Sequence, residues 1–278
     1  MDMKEYVSKV RQAANYIKEK SNITPKIAII LGSGLGKISE NLESPIQIVY
    51  ENIPNFPKST APGHKGELLI GKFGDKNILL MNGRFHYYEG YTMKEVTFPI
   101  RVMQELGIEY LILTNAAGTL NPDFEIGYPC LITDHINFFG DNPLIGPNYD
   151  EWGERFPDMT EVYSKYLIDA AFSSAKKLNI RIYSGVYLGL SGPTFETPAE
   201  MTMMRNFGAD LVGMSTVPEA IVARHAGIKL LGFSAITDKA VPTQLKKVTA
   251  EEVLEVAEKT GGKIADIIMD MINSNIFE

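Results

Sequence analysis

Four apolar runs along this chain end abruptly in small or polar residues. KIAIIL (Lys26 to Leu31) runs into Gly32-Ser33, and a run ending at Thr114 meets Asn115-Ala116. GADLVGM ends at Met214-Ser215, and GFSAIT ends at Thr237-Asp238. Runs of this length with few charges read as buried strands. Between them lie segments with helical periodicity, and alternation of this kind predicts an α/β fold. Ligands in open α/β sheets bind beyond the carboxyl ends of strands. The recurring small or polar ends therefore point to one site assembled from several strand ends.

The remaining elements follow from local signals. Val7, Val10, Ala14 and Ile17 recur at helical spacing. Gly74-Asp75 between two apolar runs, Leu68 to Phe73 and Asn77 to Met81, predicts a hairpin. Thr92 and Glu95 form a capping-box pattern for a helix reaching Leu106, with Pro99 kinking it. Further strands are read at Cys130 to Ile136 and Gly185 to Leu190. Helices are read at Glu161 to Leu178, Pro198 to Phe207, Pro218 to Ala226 and Ala250 to Ile272. Asp141 to Pro157, rich in Pro, Gly and Asn, reads as a loop. No repeat or composition break divides residues 1–278, so a single α/β domain is expected, a mixed twisted sheet with helices on both faces.

Composition narrows the function. A net charge of −7 argues against nucleic-acid binding as the main task. The lone Cys130 excludes an internal disulfide framework and a cysteine-based zinc site. The first twenty residues lack the apolar core of a signal peptide, and no run reaches the ~18 apolar residues of a membrane span. A cytoplasmic protein without membrane contact is expected.

Several residues could carry chemistry. GSGLG offers Ser33 and backbone N–H groups to an anion, though such a loop also serves as a plain tight turn. Arg84 is a planar five-donor fork suited to phosphate, and His86 lies two residues on. His64 adds a donor from a probable loop. Glu196 beside Phe195 stands at a helix entrance, where it can also be a simple dipole partner. Tyr88 and Tyr187 read first as packing residues, and Asp238 as the solvated end of a strand. HExxH, EF-hand, G-x-S-x-G and GxGxxG patterns are missing, so metal hydrolysis, acyl transfer and dinucleotide binding find no support.

Taken in order, GSGLG, PGHKG, GRFHYYEGY, TNAAGTLNP, NPLIGPN with RFPDM, GPTFETPAE and GADLVGMSTVPEAIVARH resemble the trimeric purine nucleoside phosphorylase family. The resemblance runs from about residue 25 to 240 and is specific as a set. It implies the phosphorylase fold, a homotrimer, and phosphorolysis of purine nucleosides with phosphate as co-substrate and neither metal nor organic cofactor. It implies that Ser33, Arg84, His86, the backbone of Ala116, and Ser215 hold phosphate, with His64 close by. It places the sugar against Tyr88 and Met214 and the purine between Phe195 and Val212, with Glu196 on its N1–H edge. Tyr187 and Thr237 are further nucleoside-site candidates, and Phe156 resembles an aromatic that closes a neighbouring subunit's pocket.

Two positions depart from the 6-oxopurine members. Asp238 stands where they carry Asn, and Ala250 stands where they place a His toward the 5′-hydroxyl. Both changes lean toward the related methylthioadenosine phosphorylases. A non-catalytic nucleoside-binding module is the different-class alternative.

Overall fold

The computed structural model describes residues 2–61, 63–246 and 249–277, so Pro62 of the PGHKG loop lies outside the described residues. Ile27–Leu31 forms β1, and all five residues are buried. A strand buried throughout belongs in the middle of a sheet covered on both faces. It lies between β4 (Lys76–Asn82) and β5 (Tyr110–Thr119) and runs parallel to both. β3 (Glu67–Phe73) joins β4 as the expected hairpin, with Gly74 at φ +59 in the turn. β2 (Glu43–Val49) was not anticipated from the sequence. It is the edge strand, only Ile48 of it is buried, and its pairing with β3 shifts register between Glu43 and Ile46.

The other half curls back on itself. β9 (Lys229–Lys239) runs parallel along the whole of β5, and β6 (Pro129–Asn137) pairs antiparallel with β9. β7 (Tyr183–Gly189) follows β6, and the short β8 (Leu211–Gly213) follows β7. β8 then returns to β5, pairing Gly118 with Val212. Five strands thus close a circuit within the mixed sheet. Closure leaves no bare edge on that side. It also sets Gly118 between Val212 on one neighbour and Asp238 on the other.

The helices occur broadly where periodicity places them, with one break. The Thr92–Glu95 capping box starts α2 (Met93–Val96), but the chain leaves helical geometry at Thr97 and restarts as α3 (Phe98–Glu105). Pro99 is the cause: it lacks an N–H and its ring collides with the carbonyl four residues back. α1 (Met3–Lys20) packs on α3, and α3 on α6 (Val217–His225). α4 (Lys165–Lys177) starts four residues later than periodicity indicated and packs on α7 (Ala250–Ile272), which also covers β9. α5 (Pro198–Asn206) carries its own capping box from Thr197 and Glu200. Among the described residues, no helix is long and apolar enough to cross a membrane.

Candidate active site

Because β1, β4, β5 and β9 run parallel, their carboxyl ends open on one side, and the residues there line one cleft. Its first wall is made of hydrogen-bond donors. A Cβ on Gly32 would lie 2.6 Å from the carbonyl oxygen of Thr114, so only glycine lets the end of β1 rest on β5. Ser33 Oγ then sits 3.2 Å from His64 Nε2, and His64 Nδ1 accepts from the backbone N–H of Arg84 at 3.1 Å. Burial, and next the neighbouring His86, lower the His64 pKa to about 4. His64 is therefore a neutral prop for Ser33.

Arg84 is almost fully buried at 2% exposure. Its Nη1 donates to Ser215 Oγ at 2.9 Å and to Thr216 Oγ1 at 3.2 Å. Its Nε lies 3.2 Å from Glu219 Oε1. His86 is held as firmly: its Nδ1 and its backbone N–H both donate to Glu89 Oε1 at 2.8 Å. Burial alone would raise the Glu89 pKa, but hydrogen bonds from His86 and Thr60 hold it down at about 2. With Nδ1 committed, Nε2 is the nitrogen left for a ligand. Tyr88 stacks on the His86 ring at 4.6 Å.

The opposite wall carries acids. Thr237 Oγ1 donates to Asp238 Oδ1 at 2.8 Å. Asp238 Oδ2 lies where a Cβ on Gly118 would come within 2.9 Å, so glycine makes room for the carboxylate. Lys239 does not neutralise it. Alternation along β9 turns that side chain away, and its Nζ donates to the carbonyls of Pro122 at 2.7 Å and Phe124 at 2.5 Å. Burial therefore raises the Asp238 pKa. Burial also raises that of Glu196, with the Asp238 charge adding to it. The two carboxyls face the same space and favour one another's protonated form.

Twelve of the candidate phosphate- and nucleoside-site residues reach this cleft. The donor side has Ser33, Arg84, His86, Ala116 and Ser215; the other side has Phe195, Glu196, Val212, Thr237 and Asp238, with Tyr88 and Met214 between. Tyr187 is fully buried, and a Cβ on Gly213 would strike its hydroxyl at 2.3 Å, so it packs behind the cleft wall. Period-2 alternation in β7 gave no means of telling which face met the cleft. Phe156 is 83% exposed and lines a separate hollow with Arg155 and Met159. Val253, one turn into α7, lines the cleft, whereas Ala250 is exposed at the helix start. Glu89, Thr216 and Glu219 escaped sequence reading as site residues. Only the spacing of Glu89 three residues after His86 offered a signal.

Residues 26–273 match the phosphorylase superfamily. This chain belongs to that family. Within the superfamily, purine nucleoside phosphorylase 1 of Bacillus subtilis (strain 168) is 51% identical over 251 residues, which cover 90% of this chain and 93% of the relative. Purine nucleoside phosphorylase of Rattus norvegicus is 44% identical over 271 residues, covering 95% and 94%. A solved structure of isoform 2 of the Schistosoma mansoni purine nucleoside phosphorylase, in complex with cytosine and ribose-1-phosphate, superposes with a TM-score of 0.92. It shares 43% identity, with 96% of each chain covered. In this superfamily chain the match spans every strand end that contributes to the cleft.

Proposed function

We propose that this chain is a purine nucleoside phosphorylase, converting a purine nucleoside and inorganic phosphate to free base and sugar 1-phosphate. The observation that carries the reading is the division of one cleft into a donor wall and an acid wall with an aromatic, Phe195, at its edge. In the reaction the C1′–N9 bond breaks and its electron pair goes to the purine. C1′ takes on oxocarbenium character, and a phosphate oxygen forms the new bond to it. Ser33, Arg84, His86, Ser215 and the Ala116 N–H hold the phosphate, which stabilises the cationic sugar before attacking it. Tyr88 and Met214 bear on the sugar. Glu196 and Asp238 read the base edge, and the protonated form that burial favours can donate a hydrogen bond to the departing purine. Preorganised donors and acids of this kind supply the largest share of most barrier reductions.

Phosphate is a co-substrate in this reading, and no metal or organic cofactor is called on. A homotrimer is part of it, supported by the exposed aromatics Phe138, Phe156 and Phe207, and so is action in cytoplasmic purine salvage. A second reading, adenosine or 5′-methylthioadenosine phosphorolysis, is favoured by Asp238 in the cleft and by apolar Val253 there. The experiment is base release from inosine, guanosine, adenosine and methylthioadenosine, each with and without phosphate. Phosphate-dependent release from inosine and guanosine supports the main reading, and preference for adenosine or methylthioadenosine supports the second. Binding without turnover would leave only a nucleoside-binding module.

A further inference from the structure

Behind the donor wall lies a buried polar cluster with more hydrogen-bonding capacity than partners. Arg84 and Glu219 form an ion pair at 3.2 Å with both side chains at 3% exposure. Glu219 Oε2, Arg84 Nη2, Asn115 Oδ1 and the Tyr187 hydroxyl are all buried without a hydrogen-bond partner. The backbone beside them is strained. Thr216, β-branched, sits at φ +72 and ψ −49, a region such residues rarely occupy. That conformation presents Thr216 Oγ1 to both Arg84 Nη1 and Asn115 Nδ2, at 3.2 and 2.8 Å, and it starts α6 so that Glu219 falls in the first turn. A Glu near a helix N-terminus is ordinarily an exposed dipole partner. This one is 2% exposed and aimed at the only cation with which it is ion-paired among the described residues.

We infer that Glu219 is a positioning residue that sets the charge of the anion site through Arg84. The inference rests on the reading above that Arg84 holds phosphate. An isolated guanidinium buried this deeply would attract a phosphate dianion strongly and release it slowly. With Glu219 on its Nε side, the Arg84 charge is largely cancelled from behind. The anion is then held chiefly by directed hydrogen bonds from Arg84, Ser33, His86 and Ser215. Such a site gives up some affinity and gains turnover, because the sugar 1-phosphate product carries the same phosphate group and must leave.

The test compares wild type, Glu219→Gln and Glu219→Asp as full-length protein. Phosphate binding is measured by calorimetry without nucleoside, and steady-state kinetics follow. Removing the buried negative charge is expected to tighten phosphate about tenfold in Glu219→Gln and to lower both the phosphate KM and kcat. Glu219→Asp, which keeps the charge but draws it back, is expected to fall between the two. It serves alone if the Gln variant does not fold. A merely structural Glu219 predicts the opposite: unchanged or weaker phosphate binding in either variant overturns the inference. Wild-type protein that binds no phosphate would instead overturn the functional reading itself, so the two failures are distinct.

Discussion

At the donor end of the cleft every functional side chain leans on a second residue: Ser33 on His64, His86 on Glu89, Arg84 on Ser215, Thr216 and Glu219. At the acid end, Glu196 and Asp238 share a space, and neither has an ion-pair partner among the described residues. The difference teaches where preorganisation is needed. In the proposed reaction the phosphate is the same in every turnover, so its donors can be fixed in advance. In that reaction a purine brings its own donors and acceptors, and the acids at that end are held by packing, by Thr237 at Asp238 and by the residue's own backbone at Glu196. Their protonation is raised by burial and free to follow the ligand.

The largest expected effect is at the fixed end. Arg84→Ala should cut kcat/KM for phosphate by roughly 10²-fold or more, the usual cost of losing one preorganised donor. Nucleoside affinity should change far less, as judged by fluorescence titration. An equal loss of both would abolish the division between the two ends. Next is Asp238→Asn. Ionised, Asp238 accepts from the amino group of adenine; facing hypoxanthine it must first take up a proton to avoid repelling the 6-oxygen, whereas Asn donates to that oxygen without one. The ratio of kcat/KM for adenosine over inosine should therefore fall by about tenfold. An unchanged or higher ratio would show that Asp238 does not read the 6-position.

Acid should act on the two ends with opposite sign. His64 titrates at about 4 in the fold against an ordinary 6.5. Its contribution to stability is fully present above pH 6.5 and is lost as pH falls toward 4, a swing of up to about 3 kcal/mol. Denaturant titrations should show this loss in wild type and a flatter profile in His64→Gln. Glu196 goes the other way, since its folded pKa is raised. It costs stability once ionised, so Glu196→Gln should raise Tm modestly at pH 7, and the gain should vanish below the ordinary carboxylate range. A lower Tm at pH 7 would mean that the ionised carboxylate is held by favourable contacts.

The same contrast marks what was legible in the sequence. Strands buried on both faces, such as β1 and β9, announce themselves as apolar runs, and the small or polar residues at their ends gave most of the cleft wall. β2 did not, because an exposed edge strand with Pro45 and polar neighbours has little apolar signal. Closure of β8 onto β5 rests on only two residue pairs, too short a pairing to read from periodicity. Glu219 and Thr216 were invisible as site residues because Arg84 reaches them across more than 130 positions of chain. The first turn of α7 faces the cleft through Val253, whereas Ala250, on the same face but at the very start of the helix, stays exposed.

The most direct test of the account is the stoichiometry of a single assay with inosine or adenosine, in which phosphate consumed, base released and sugar 1-phosphate formed are measured together. The account predicts one of each per turnover and no base released without phosphate. Base released with free sugar in the absence of phosphate would make the donor wall a water-activating site, and would contradict the assignment of the two ends.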